Sequence, residues 1–135
     1  MPQSILVVDD DTNIRKLVAH ALTQHGHSVF CATGRVDVLR ALEQRHFDLV
    51  ITDVIMPELD GAEVTREVKK YQPGAALIAM SGGGSFMTRD FCLRLMKGMG
   101  VQTVLEKPLR LEDLFRAVEL SQIDKARGRH PRSAE

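Results

Sequence analysis

The feature that most constrains how this chain can fold is a regular alternation of short apolar runs with segments of helical periodicity. In the segments between the runs, apolar residues recur at spacings of three and four, the pattern of a helix with one buried face. Strands joined by helices of this length predict right-handed βαβ units and a parallel sheet with helices on both faces. The five apolar runs are Ser4–Val8, Ser28–Ala32, Asp48–Thr52, Ala76–Met80 and Gln102–Glu106.

The helical segments carry recognisable boundary signals. Asp11 precedes the first segment and predicts an N-cap, while Gly26 predicts the end of that helix. Residues 86–97 predict a helix with Phe91, Leu95 and Met96 on one side. A one-sided apolar stripe of this kind is typical of a helix that packs on a sheet.

Length and composition indicate a single domain of ordinary size. The chain has 135 residues, of which 44% are hydrophobic, and its formal net charge is zero. A neutral chain argues against a broad electrostatic field for nucleic acid or for a membrane surface. No apolar run approaches the roughly 20 residues that span a bilayer, and the N-terminus lacks a signal-peptide pattern. We assign residues 1–124 to the domain and residues 125–135 to a basic C-terminal tail or linker stub.

The two cysteines, Cys31 and Cys92, have neither the spacing of a disulfide framework nor that of a zinc site. We expect two reduced thiols, with Cys31 in or near the core. Reduced thiols are typical of the cytoplasm, which is therefore the predicted compartment.

Charged and polar residues stand where the apolar runs end. Asp9 and Asp10 follow the first run, Asp53 follows the third, Ser81 follows the fourth, and Lys107 follows the fifth. Because ligands of open parallel sheets bind beyond the carboxyl ends of the strands, we expect these side chains to converge on one pocket. Clustered carboxylates suit a hard cation such as Mg²⁺. A lysine and a hydroxyl beside them suit a phosphoryl group.

These motifs, in this order, resemble one protein family. The segments ILVVDDD and DLVITDVIMPELDG, a strand that ends in Ser81, and then VLEKP are similar to the receiver domain of two-component response regulators. The resemblance covers residues 4–122. It implies a flavodoxin-like (βα)5 fold, a doubly wound parallel sheet with strand order 2-1-3-4-5.

The resemblance also implies roles for the residues at the first and third strand ends. Asp53 would be the phosphoacceptor, taking a phosphoryl group from the phosphohistidine of a sensor histidine kinase or from a phosphotransfer protein. Asp10 would ligate Mg²⁺ directly, and Asp9 would assist through a water molecule. The carbonyl group of Ile55 would complete the protein's set of metal ligands.

The last two strand ends would sense the phosphoryl group. Ser81, with Gly82 beside it, takes the place of the family's phosphate-binding hydroxyl, and Lys107 would pair with the phosphate. Before the phosphoryl group arrives, we expect neither Ser81 nor Lys107 to have a partner comparable to it. The bond between Lys107 and Pro108 would be cis.

The chain departs from the family pattern at three places. Val104 stands where many receivers carry an aromatic residue that rotates on activation, so signalling is predicted to run through a mobile Gly82–Ser85 loop and the fourth helix. The segment between Ser81 and Lys107 is also longer than usual. Ile55 and Gly83 offer no group to position an attacking water, which predicts slow self-dephosphorylation at most, and no enzymatic turnover.

Two other functions compete with this interpretation. Asp9-Asp10-Asp11-Thr12 fits the start of a haloacid-dehalogenase phosphatase motif, but Asn13 breaks it. The SGGGS segment at residues 81–85 suggests a nucleotide-binding loop, but it lacks the ending of a P-loop.

The predicted partners are therefore a kinase or phosphotransfer protein, with a homodimer through the face of the fourth helix as a further prediction. Neither nucleic acid nor a membrane is expected to bind this domain.

Overall fold

The computed structural model describes residues 2–82 and 86–126, with the side chains of residues 86–88 outside the description. Five parallel strands form one sheet in the order β2-β1-β3-β4-β5, which confirms the predicted order 2-1-3-4-5. The strands are β1 (Ser4–Val8), β2 (Ser28–Ala32), β3 (Leu49–Asp53), β4 (Ala76–Ser81) and β5 (Thr103–Glu106). The helices are α1 (Thr12–Gln24), α2 (Gly34–Gln44), α3 (Gly61–Tyr71), α4 (Phe86–Gly98) and α5 (Leu111–Ala126).

The sheet separates two apolar cores, and β1 contributes to both because successive side chains of a strand point to opposite faces. Ile5 and Val7 belong to the core beneath α1 and α5, whereas Leu6 and Val8 belong to the core beneath α2, α3 and α4. All four of these side chains are fully buried. Burial on both faces makes β1 and β3 near-continuous apolar runs, as expected of central parallel strands.

The strand bounds differ from the predicted runs in a way that matters for the site. Asp53 is the last residue of β3 and pairs with Met80, whereas it was expected just beyond the strand. Ser81 likewise ends β4 and pairs with Glu106. Both side chains are therefore held by strand backbone and not by a loop.

The predicted boundary of the first helix is confirmed. The Asp11 carboxylate accepts hydrogen bonds from the backbone N–H of Asn13 at 2.8 Å and of Ile14 at 3.4 Å, as an N-cap does. Gly26 follows the helix with φ of +90°, a conformation that favours glycine. The cap ties the start of α1 to the turn that carries Asp9 and Asp10.

Two predictions about burial were wrong. Cys31 was expected in or near the core but is exposed, whereas Cys92 is buried. Cys31 lies on β2, an edge strand, whereas Cys92 lies one helical turn before Met96 on the face of α4 that joins the core. Phe91 and Leu95 are exposed, so Met96 alone of the predicted apolar side is buried.

Some predictions fall outside the described residues. The loop expected at Gly82–Ser85 is described only at Gly82, and Gly83 is not described. Of the basic tail, residues 127–135 are not described, and the boundary at residue 124 stays a prediction. The last turn of α5 includes Lys125, whose amino group donates to the carbonyl of Asp48 at 3.0 Å. Over residues 2–82 and 86–126, no helix has the length and apolarity of a membrane span.

Candidate functional site at the carboxyl end of the sheet

Asp53 lies at the carboxyl end of the central strand and is almost fully enclosed, with 7% of its surface exposed. Its Oδ1 accepts a hydrogen bond from the backbone N–H of Val54 at 2.9 Å. The same N–H donates to the carbonyl of Met80 at 2.9 Å, which ties the end of β3 to β4. The carboxylate of Asp53 is therefore oriented by backbone on a rigid element.

Asp9 and Asp10 stand side by side after β1 but in different surroundings. Asp9 has no exposed surface, and its Oδ1 accepts from the backbone N–H of Asp11 at 2.9 Å. Asp10 is exposed. One carboxylate oxygen from each of Asp9, Asp10 and Asp53 lies within 4.8 Å of the others. Three such oxygens fit a hard divalent cation, since Mg²⁺ prefers carboxylate and water oxygens.

Lys107 reaches the same cluster from the end of β5. Its Nζ lies 2.8 Å from Oδ2 of Asp9 and 3.2 Å from Oδ2 of Asp53. The expectation that Lys107 lacks a partner before phosphorylation was therefore wrong. The two carboxylates are almost completely buried, and the ammonium group that bridges them compensates part of their negative charge.

The pKa values of Asp53 and Lys107 reflect their burial together with the charges beside them. Burial raises the pKa of Asp53, repulsion from Asp9 raises it further, and Lys107 offsets part of the rise, which leaves it at about 6. Burial acts to lower the pKa of Lys107, but the hydrogen bond from its ammonium group to Asp9 and the charges of both aspartates raise it overall. Lys107 is thus held in its charged form, whereas ionisation of Asp53 costs more free energy than ionisation of an exposed aspartate.

Backbone contacts between β4 and β5 place Lys107. Its N–H donates to the carbonyl of Ser81 at 2.8 Å, and Ser81 itself is 7% exposed. The Lys107–Pro108 peptide bond is cis, as the family resemblance predicted. A Cβ atom at Gly82 would lie 2.8 Å from Cβ of Lys107, so the lysine stem packs directly on the backbone after β4.

The acidic cluster opens to solvent through a cavity of about 610 Å³. Ile55 lines this cavity, so the segment whose carbonyl was predicted as a metal ligand lies at the site. Val104 is half-buried on β5 and pairs with Ala79, away from the cavity wall. The residues that line the cavity are Asp9, Asp10, Asp11, Asp53, Ile55, Met56, Pro57, Gly82 and Lys107.

Two residues that shape the site were missed by sequence reasoning. A Cβ atom at Gly61 would lie 2.7 Å from the carbonyl oxygen of Asp53 and 2.8 Å from Cε of Met96, so only glycine fits there without a shift. Gly61 ends the segment DLVITDVIMPELDG that carries the family resemblance, but no role at the site was predicted for it. Arg15 donates to the carbonyl of Asp9 at 2.8 Å, and its place on the first helix carried no signal that pointed to the site.

The fold and the site together define a class of protein, a (βα)5 domain with an acidic, lysine-bridged pocket at the carboxyl end of its sheet. The family model for the response regulator receiver domain matches residues 5–119. The chain therefore belongs to the response regulator receiver family.

Known relatives support this membership. The transcriptional regulatory protein GlrR of Escherichia coli is 35% identical over 118 residues, which cover 87% of this chain and 26% of GlrR. The chain thus spans about a quarter of that relative. A receiver domain protein from Methanospirillum hungatei superposes with a TM-score of 0.82 at 26% identity, covering 95% of this chain and 99% of that one. A receiver domain from Clostridium thermocellum superposes with a TM-score of 0.78 at 34% identity, covering 91% and 96%.

Proposed function

We propose that this receiver domain takes a phosphoryl group on Asp53 from a phosphohistidine of a sensor histidine kinase or a phosphotransfer protein. A carboxylate oxygen of Asp53 would attack phosphorus as the bond from phosphorus to the histidine nitrogen breaks, which yields an acyl phosphate. The observation that carries this proposal is the convergence of three carboxylates and one ammonium group on a solvent-open pocket.

Asp9, Asp10 and Asp53 would hold Mg²⁺, with the carbonyl of Ile55 as the fourth protein ligand and Asp9 acting through water. The fit rests on carboxylate oxygens within 4.8 Å of one another. The cation would offset the repulsion between Asp53 and an incoming phosphate and would stabilise charge during transfer. Burial first, and repulsion from Asp9 second, raise the pKa of Asp53, and a bound cation would offset both effects by stabilising the ionised carboxylate.

Phosphorylation would change the partners of Lys107. In the unmodified site its ammonium group bridges Asp9 and Asp53, and the phosphoryl group would replace the Asp53 carboxylate as its anionic partner. Ser81 ends the neighbouring strand and would donate its hydroxyl proton to a phosphoryl oxygen. A contact that exists in only one state is what shifts a two-state equilibrium.

The conformational change would reach a partner through Gly82, the following loop and the face of α4. Val104 is too small, and too stiff at χ1, to replace the aromatic side chain that rotates in many receivers. Phe91 and Leu95 are exposed on α4 and offer an apolar contact for a partner or a second copy of the chain.

We propose a cytoplasmic location, where both free cysteines would stay reduced.

We also propose that the domain does not turn over substrate and that its acyl phosphate hydrolyses slowly. Ile55 lines the pocket with an apolar side chain that supplies no group to position water. The phosphatase alternative would require Asp9 as the nucleophile, yet the side chain of Asp9 has no exposed surface, whereas that of Asp53 is 10% exposed.

The test is to incubate the protein with Mg²⁺ and acetyl phosphate, and separately with a phosphorylated kinase. We expect one hydroxylamine-sensitive phosphoryl group per chain, which peptide mapping assigns to Asp53 and which chelation of Mg²⁺ prevents. A label on Asp9, or repeated turnover of the phosphodonor, would favour the phosphatase alternative instead.

A further inference from the structure

We infer that Arg15 is a positioning residue for the metal site, which fixes the turn from which Asp10 reaches the cation. The inference rests on the proposed function, because it concerns the same Mg²⁺ site. Arg15 lies on α1, carries no ligand atom for a cation, and has the wrong charge to attract one.

The guanidinium group of Arg15 joins the end of β1 to the start of α1. Its Nη1 donates to the carbonyl oxygen of Asp9 at 2.8 Å, and its Nη2 donates to the hydroxyl of Thr12 at 3.1 Å. Asp9 is fully buried, so without this donor its carbonyl would lose its partner at the point where β1 leaves the ladder. A planar fork can serve two acceptors at once, which a lysine ammonium on a flexible stem does less well.

Asp10 and Asp11 occupy the turn between the two points that Arg15 joins. The other side-chain hydrogen bonds of the turn run from the N–H of Asp11 to Asp9 and from the N–H groups of Asn13 and Ile14 to Asp11. None of these bonds involves the carboxylate of Asp10, which is exposed. The position of the Asp10 oxygen relative to Asp9 and Asp53 therefore depends on the path of the backbone that Arg15 holds.

The sign of the effect separates this role from simple electrostatics. Removing a positive charge near three carboxylates would by itself strengthen binding of a divalent cation. A positioning role predicts the opposite, weaker binding, because a ligand that is no longer held in place must be ordered when the cation binds. Loss of an outer partner of a metal ligand typically costs about 10- to 100-fold in affinity.

The experiment is a titration of the whole chain with Mg²⁺ alone, followed by calorimetry or by amide shifts, since the sequence has no tryptophan to report binding. We expect Arg15→Met to bind Mg²⁺ about 10-fold more weakly and Arg15→Lys to recover part of the loss. Lys16→Met is the matched control, because Lys16 is the exposed neighbour on the same helix and loses the same charge. It should bind within about 2-fold of the parent or slightly more tightly.

A merely structural role for Arg15 would lower the melting temperature and leave the Mg²⁺ affinity of the folded protein unchanged. Equal or tighter binding by Arg15→Met, together with weak binding by Asp10→Ala, would overturn the inference and leave the proposed function standing. Unchanged binding in both variants would remove the proposed metal site itself. Should Arg15→Met fail to fold, Arg15→Lys and Thr12→Val carry the test, and affinities equal to the parent in both would overturn the inference.

Discussion

The strand β3 has an aspartate at each end, and the two side chains have opposite surroundings. Asp48 immediately precedes the strand, is 34% exposed at its side chain, and accepts from the backbone N–H of Ser4 at 2.9 Å. Its other oxygen lies 3.4 Å from Nε2 of His46 and 4.0 Å from Nζ of Lys125. Asp53 ends the strand, is 10% exposed at its side chain, and lies beside two further carboxylates.

The difference shows how the direction of a parallel sheet sorts identical residues. At the amino end, the first N–H of a strand needs an acceptor, and the carboxylate of Asp48 supplies one to Ser4. At the carboxyl end, the Asp53 carboxylate accepts a hydrogen bond from one backbone N–H and shares the ammonium group of Lys107 with Asp9. It is also largely shielded from water. Asp48 therefore completes the hydrogen bonding of the neighbouring strand, whereas Asp53 has the raised pKa that is typical of groups at functional sites.

The largest expected effect is on phosphorylation. Asp53→Asn should abolish the hydroxylamine-sensitive label, because an amide is not a carboxylate nucleophile, while Asp48→Asn should be labelled at the parent rate. Both changes remove one negative charge from an end of the same strand, so overall charge cannot account for a difference. Labelling by acetyl phosphate, quantified by intact mass, checks this, and loss of label in both variants would contradict the comparison.

The next effect is on stability and its dependence on pH. The pKa of Asp53 is raised from 3.8 to about 6, so the folded protein holds the proton more tightly and ionisation costs stability. The penalty is absent below pH 3.8, grows as pH rises to 6, and is complete above it. In chelator, Asp53→Asn should be more stable than the parent by about 2 kcal/mol at pH 8, a gain that disappears toward pH 4.

Denaturant unfolding of both proteins across that range is the measurement. A gain that stayed constant with pH would show that ionisation of Asp53 is not its source. Saturating Mg²⁺ should reduce the gain at pH 8, because the cation stabilises the ionised parent and loses one ligand in the variant.

A smaller effect of opposite sign is expected at the other end of the strand. Asp48→Ala removes the acceptor for Ser4 N–H and a contact of Lys125, and should lower the free energy of unfolding by about 1 kcal/mol. Mg²⁺ affinity should be unchanged. An unfolding measurement at pH 8 checks the first statement, and a variant as stable as the parent would show that water replaces the carboxylate there.

The smallest effect is a redistribution of amide shifts without a change of fold. With beryllofluoride and Mg²⁺, we expect the large changes at residues 81–97 and around Lys107, and little change at Ser4 and Lys125. Glycines after β4 allow large backbone rotations at little steric cost, whereas β-branched Val104 is stiff. Large changes centred on Val104 and α5, with the segment after Ser81 silent, would contradict this route.

Part of the site could be predicted from the sequence because strand ends are local features. Apolar runs that end in Asp9 and Asp53 are visible without a structure, and parallel pairing brings such ends to one edge of the sheet. The cap at Asp11 was equally local, since it depends on bonds to residues two and three positions away. The strand order came from the family resemblance and not from the residues themselves.

Other properties depend on which surfaces meet, and the sequence carries little signal for them. Phe91 and Met96 are equally apolar, yet only Met96 faces Gly61 of α3 and is buried. Cys31 and Cys92 differ because Cys31 lies on an edge strand, whereas Cys92 lies on the face of α4 that joins the core. A periodic pattern defines an apolar side only to within about one residue, which is a rotation of roughly 100° around a helix.

The sequence by itself determined that this chain forms alternating strands and helices and that carboxylates stand at the ends of two central strands. Those properties follow from periodicity and from the residues next to each run. Only the tertiary structure decided that Lys107 bridges Asp9, which lies 98 residues away, and Asp53, and that Arg15 donates to the carbonyl of Asp9. Such contacts depend on distances of a few ångströms between separate elements, which packing of the whole sheet and its helices sets.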